Sequence, residues 1–94
     1  MKSFYWSEEK NRLLKQERGI CFEDIVYYLE NEKVIDIIRH YNVNKYKNQE
    51  IFVLNINNYI YLAPFVETKD FIFLKTIIPS RKFTKIYLGG KKDE

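Results

Sequence analysis

Arg81, Lys82 and Lys85 follow one another within two turns, directly after Lys75-Thr-Ile-Ile-Pro79-Ser80. At that spacing the cations stand on one short helix at the edge of a sheet, a geometry that holds a polyanion. Arg81 is the first candidate for a phosphate clamp. Its guanidinium offers two parallel hydrogen bonds to one phosphate, and a helix start just beyond a strand holds it in place. The same run also fits an ordinary solvated helix. Lys75 projects from a strand face that is otherwise apolar. Desolvated there, its ammonium would lose a proton more easily and serve as base or acid; otherwise it snorkels at the sheet rim. His40 is the only imidazole of the chain, and its ordinary pKa near ~6.5 suits proton transfer. Its bland counterpart is a loop histidine without function. Arg39, Lys45, Lys47, Lys82 and Lys85 would track phosphates of a bound nucleic acid, with Tyr87, Tyr41 and Tyr46 as stacking partners.

Those residues need a frame. Ser3 to Trp6 reads as a short edge strand. Ser7 caps a helix that Glu8 and Glu9 favour at its positive end and that Gly19 stops after Arg18. Leu13 and Leu14 give it a narrow apolar face. Phe22, Ile25, Val26 and Leu29 recur at i, i+3, i+4 and i+7, the stripe of a second, buried-face helix. Val34 to Ile38 reads as a strand, and 40–49 as an exposed polar loop. Ile51 to Ile56, Tyr59 to Val66 and Phe71 to Ile78 form a meander. Asn57-Asn58 makes its first turn, because Asn tolerates positive φ; Glu67 to Asp70 makes the second. Pro64 belongs near an edge or bulge, and Pro79 stops the last strand. Ser80 caps the basic helix, which ends before Gly89-Gly90.

The turn lengths fix two faces. Phe52, Leu54, Ile56, Tyr59, Tyr61, Ala63, Phe65, Ile72, Leu74 and Ile78 share one. Ile51, Val53, Ile60, Leu62, Val66, Phe71, Phe73 and Lys75 share the other. Both are largely apolar, and two helices cover only one. The C-terminal helix or a partner must cover the other. The fold class is therefore α+β: two N-terminal helices on a twisted, mostly antiparallel sheet, then a short basic helix.

Composition narrows the function classes. Ninety-four residues, 46% hydrophobic and 17% aromatic, make a single folded domain over 1–94. Net charge is +3, unevenly placed: residues 1–36 carry six basic and eight acidic side chains, residues 37–94 ten and five. An anionic partner would meet the second half. One cysteine forms no internal disulfide, which suits a reducing cytoplasm. No apolar run approaches the ~20 residues that span a bilayer. Trp6 followed by Ser7-Glu8-Glu9 is no signal peptide, and the closing Lys-Lys-Asp-Glu lacks the final Leu of a retention signal. One His, one Cys and scattered carboxylates argue against a metal site, and no Gly-rich phosphate loop or other cofactor motif is present. Cys21 precedes a helix whose positive end would lower its pKa; a plain capping role is the alternative. Trp6 reads as a core anchor.

Three segments carry a resemblance. Phe4-Tyr-Trp6-Ser-Glu-Glu-Lys10-Asn11 resembles the Trp-Asp-x-x-Lys-Asn opening of BrnT-type toxins. Arg18-Gly19-Ile20-Cys21-Phe22-Glu23-Asp24 resembles their His-Gly-Val-Ser-Phe-Glu-Glu. Lys75-Thr-Ile-Ile-Pro-Ser80-Arg81-Lys82 resembles their closing Arg-Ile-Ile-Ser-Ala-Arg-Arg. The chain departs from that pattern at Arg18, at Ser7 and in a longer loop from His40 to Gln49. The resemblance implies a RelE-like ribonuclease, the toxin of a type II toxin–antitoxin pair. It would cleave messenger RNA in the cytoplasm. A small DNA-binding antitoxin would neutralise it and alone touch operator DNA. Such cleavage needs a base for the 2′-hydroxyl, cations for the phosphate and an acid for the leaving 5′-oxygen, and no metal. Arg81, Lys75 and His40 are the candidates for those roles. The alternative is a toxin homologue that only binds protein or RNA.

Overall fold

The computed structural model describes residues 2–39, 42, 44, 45 and 49–89. His40 and Lys47, with Tyr41 and Tyr46, lie outside them. The order is β1 (Ser3–Tyr5), α1 (Glu8–Arg18), α2 (Phe22–Glu30), β2 (Val34–Arg39), β3 (Gln49–Ile56), β4 (Tyr59–Glu67), β5 (Phe71–Leu74), β6 (Ile78–Pro79) and α3 (Arg81–Thr84), which runs on into a π-helical turn over Lys85–Gly89. The strands form one sheet in the order β1-β5-β4-β3-β2, with β6 also on β4. Only the β1–β5 pair is parallel. The fold is α+β, as expected. Among the described residues no helix is long and apolar enough to cross a membrane.

Local chemistry sets the helix ends. The Ser7 hydroxyl accepts the Lys10 N–H, and Gly19 takes the left-handed conformation at φ 71° that closes α1. Cys21 caps α2 by a different route from a lowered thiol: the Asp24 carboxylate accepts both its backbone N–H and its S–H. Partial burial, foremost, pushes the Cys21 thiol up. Asn11 joins the two helices. Its side-chain oxygen accepts the Phe22 N–H at 2.7 Å, and its amide donates to Glu23 at 2.8 Å. That bond, first among its causes, holds the Glu23 carboxyl below the usual range.

The helices bury one face of the sheet. Leu14, Ile20, Phe22 and Ile25 pack on Phe52, Leu54, Ile56, Ala63, Phe65, Leu74 and Ile77. Phe52 and Phe65 stack at 3.9 Å, and Trp6 stacks on Phe22. Leu13, expected to share the α1 face, is exposed. The Asn57-Asn58 turn has φ of 54° and 67°, and the register beyond it pairs Ile56 with Tyr59 and Phe52 with Ala63.

The expected last strand is broken. Phe71 to Leu74 and Ile78 to Pro79 pair with the same edge of β4, separated by residues 75–77. Pro64 stands opposite the break, inside a central strand. Its carbonyl accepts the Lys75 N–H at 2.8 Å, but it has no N–H to return, so the ladder cannot continue. The chain uses the break to change faces. Ile77 turns into the helix-side core, while Ile78 pairs with Leu62 on the opposite face and stays partly exposed. Pro79 still pairs with Tyr61, so pairing ends after it.

Candidate functional site

The basic helix is fastened to β4 at its start. The Ser80 N–H donates to the Ile60 carbonyl, and the Ser80 hydroxyl accepts the Phe83 N–H at 3.0 Å. The Thr84 hydroxyl donates to the Ser80 carbonyl at 2.6 Å and accepts the Ile60 N–H at 2.8 Å. Ile60 lies on the edge of β4 beyond β6, so the Ser80 backbone N–H and the Thr84 hydroxyl replace a strand there. Phe83 and Leu88 then pack on Ile51, Val53, Ile60, Leu62 and Ile38, the second apolar face. At the far end the Tyr87 hydroxyl donates to Asp36 of β2 at 2.8 Å. This bond pushes the Tyr87 phenol above its ordinary value. The C-terminal element thus crosses the sheet from β4 to β2 as a strap fixed at both ends.

The strap leaves its cations outside. Arg81, Lys82 and Lys85 are exposed, and among the described residues none of their side chains has a hydrogen-bond or ion-pair partner. Three neighbouring positive charges, unpaired among the described residues, form a surface suited to an anion. Beside it lies a cavity of about 320 Å³ lined by Leu62, Ile78, Pro79, Ser80, Lys82 and Phe83.

The remaining candidates are placed differently. Lys75 is exposed after β5, with its ammonium 5.6 Å from the centre of the Phe73 ring. It follows the rim reading, because the desolvation that proton transfer would draw on is absent. Arg39 ends β2 opposite Glu50, and the register puts both on the α1–α2 side of the sheet. There it lines a mixed-charge cleft of about 420 Å³ with Lys2, Gln49, Glu50, Glu67, Thr68 and Lys69. It does not join the Arg81 group. Lys45 is exposed in a turn, its backbone N–H on the Asn42 side chain. Tyr87 is tied to Asp36 by its hydroxyl while its ring lies 6.2 Å from that of Phe83.

Asp36 and Thr84 were not marked by the sequence. Asp36 is flanked by isoleucines on an edge strand, where its carboxylate accepts the Ile37 N–H, and the strap's path adds the Tyr87 hydroxyl. Thr84 sits four residues after a capping serine, a spacing that lets its hydroxyl reach back to the Ser80 carbonyl. Among the described residues no group of His, Cys, Asp and Glu could hold a metal ion. No protein-family model matches the chain, and no curated protein or solved structure matches it.

Proposed function

We propose that this chain is a metal-independent endoribonuclease toxin of the BrnT type, acting on messenger RNA in the cytoplasm and neutralised by a cognate antitoxin. The observation that carries the reading is the strap. It fixes the backbone that carries Arg81, Lys82 and Lys85 on the sheet, and among the described residues their side chains have no ion-pair partner. Arg81, at the first position of α3, is the phosphate clamp. Its two-pronged hydrogen bonding stabilises the charge that grows on phosphorus as the 2′-hydroxyl attacks. The 2′-oxygen displaces the 5′-oxygen, leaving a 2′,3′-cyclic phosphate and a free 5′-hydroxyl. Lys82 and Lys85 hold neighbouring phosphates. His40, outside the described residues, is the proton carrier of this reading, and Lys75, exposed at the sheet rim, contributes positive charge.

A second reading, a non-enzymatic binding homologue, is favoured by two observations. The Tyr87 hydroxyl is engaged by Asp36, and the Lys75 ammonium lies over Phe73. Purified chain and single-stranded RNA in EDTA separate the two. The toxin reading expects cleavage with cyclic phosphate ends and none on a 2′-deoxy strand. RNA that is bound and stays intact would establish the binding homologue.

A further inference from the structure

The strap covers only part of the second face. Its hydrophobic contacts are with β3, the inner part of β4 and Ile38 of β2. The registers Ser3–Phe71, Tyr5–Phe73 and Val66–Phe73 set Tyr5, Phe71, Phe73 and Val66 on that same face, over β1, β5 and the outer part of β4. None of the four belongs to either hydrophobic cluster. Tyr5 is 54% exposed, and its ring meets Phe71 edge to face at 5.4 Å.

We propose that Tyr5, Phe71 and Phe73 form a stacking platform for the unpaired bases of single-stranded RNA, with Lys75 and Lys82 taking its phosphates. The proposal rests on the RNA-directed reading above and extends it to a substrate class and a second contact surface. An aromatic group on a sheet face, exposed at Tyr5 and part-buried at Phe71 and Phe73, suits bases splayed out of a helix. Stacking on such rings holds about two or three of them without regard to sequence. A duplex keeps its base faces covered and cannot use the platform.

Charge complements the rings. Lys75 stands between Phe73 and Ile78 along the β4 edge, its N–H on the Pro64 carbonyl. Phe73 lies opposite Val66 and Ile78 opposite Leu62, a separation of ~13 Å at ~3.3 Å per residue. The apolar cavity lined by Ile78, Lys82 and Phe83 lies at the Ile78 end. Rings, cation, apolar cavity and cation therefore follow one another toward Arg81. Of the nearby acidic groups, Glu67 pairs with Ile72 on the other face and is held by Lys2, and Asp70 lies in the turn before Phe71, at the end away from Arg81. The Lys75 ammonium over Phe73 is an exposed cation–π contact, weak enough for a base to displace. The freed ammonium then meets the phosphate.

Fluorescence anisotropy of the full chain with labelled 2′-O-methyl decauridylate tests this, since that strand binds without being cut. Tyr5→Leu should weaken binding about tenfold, and the triple variant Tyr5→Leu/Phe71→Leu/Phe73→Leu about a hundredfold or more. Leucine keeps the apolar cover of the sheet, and the exposed Tyr5 single variant stands if the triple fails to fold. Their salt dependence should match the wild type, whereas Lys75→Gln should make it shallower. Equal affinity of wild type and Tyr5→Leu overturns the platform and gives the face to a protein partner. A duplex of the same length bound as tightly as the single strand overturns it too. Cleavage of ordinary RNA is scored separately. Platform-dependent binding without cleavage removes the enzyme and keeps the platform; cleavage with ring-independent binding does the reverse.

Discussion

In the proposed reading, Arg81 is the residue on which the chemistry turns. Its side chain is exposed and, among the described residues, makes no hydrogen bond or ion pair. Arg81→Ala should therefore lower cleavage about tenfold or more, the loss of a charge-assisted contact of roughly 1.5–3 kcal/mol. Thermal unfolding should stay where it is, and a drop in melting temperature would show a structural role instead. Asn11 is the opposite kind of residue, nearly buried and purely architectural. Asn11→Ala strands the Phe22 N–H and should cost about 1–3 kcal/mol in urea unfolding. The bond to Glu23 adds a pH signature. A carboxyl held low when folded stabilises above its ordinary pKa and loses that contribution as pH falls through the folded value. The gap between wild type and Asn11→Ala should thus be wide at neutral pH and narrower near pH ~3. A constant gap would exclude the Glu23 contribution.

At the scale of elements, the strap depends on Thr84. Its hydroxyl is the acceptor for the Ile60 N–H in a strand whose side chain there is fully buried. Thr84→Val keeps the shape and removes the acceptor. It should cost about 1–3 kcal/mol and speed hydrogen exchange at Ile60. Unchanged exchange would mean that water replaces the bond without loss. Both helices, the Asn57-Asn58 turn and the registers of β3 and β4 were legible, because their signals are local: a capping serine, a left-handed glycine, two asparagines, a period of two. The break between β5 and β6 was not. Its cause is Pro64, eleven residues and one turn before Lys75, where the chain bends, so the run from Phe71 to Ile78 reads as continuous on its own. The Asn11 bridge was hidden for the same reason, since an asparagine within a helix shows no partner in sequence. The basic cluster was legible, whereas its separation from Arg39 required the strand register.

For the whole molecule, the second apolar face was expected to need either the C-terminal helix or a partner. The strap covers the β3 side and leaves two open sheet edges. Ile35 and Ile37 on the β2 edge are 46% and 53% exposed, a surface suited to association. Light scattering of the isolated chain should show mass rising with concentration. A stable monomer at high concentration would remove this argument for a partner. The proposed antitoxin would lay acidic residues over Arg81, Lys82 and Lys85, so its hold should weaken with salt.

The central claim is that the strap's cations serve RNA cleavage. Induced expression of the chain without an antitoxin, beside Arg81→Ala at equal soluble level, tests it most directly. The account predicts growth arrest with fragmented messenger RNA for the wild type, and continued growth with largely intact transcripts for the variant. Normal growth and intact transcripts with the wild type present in soluble form would contradict it.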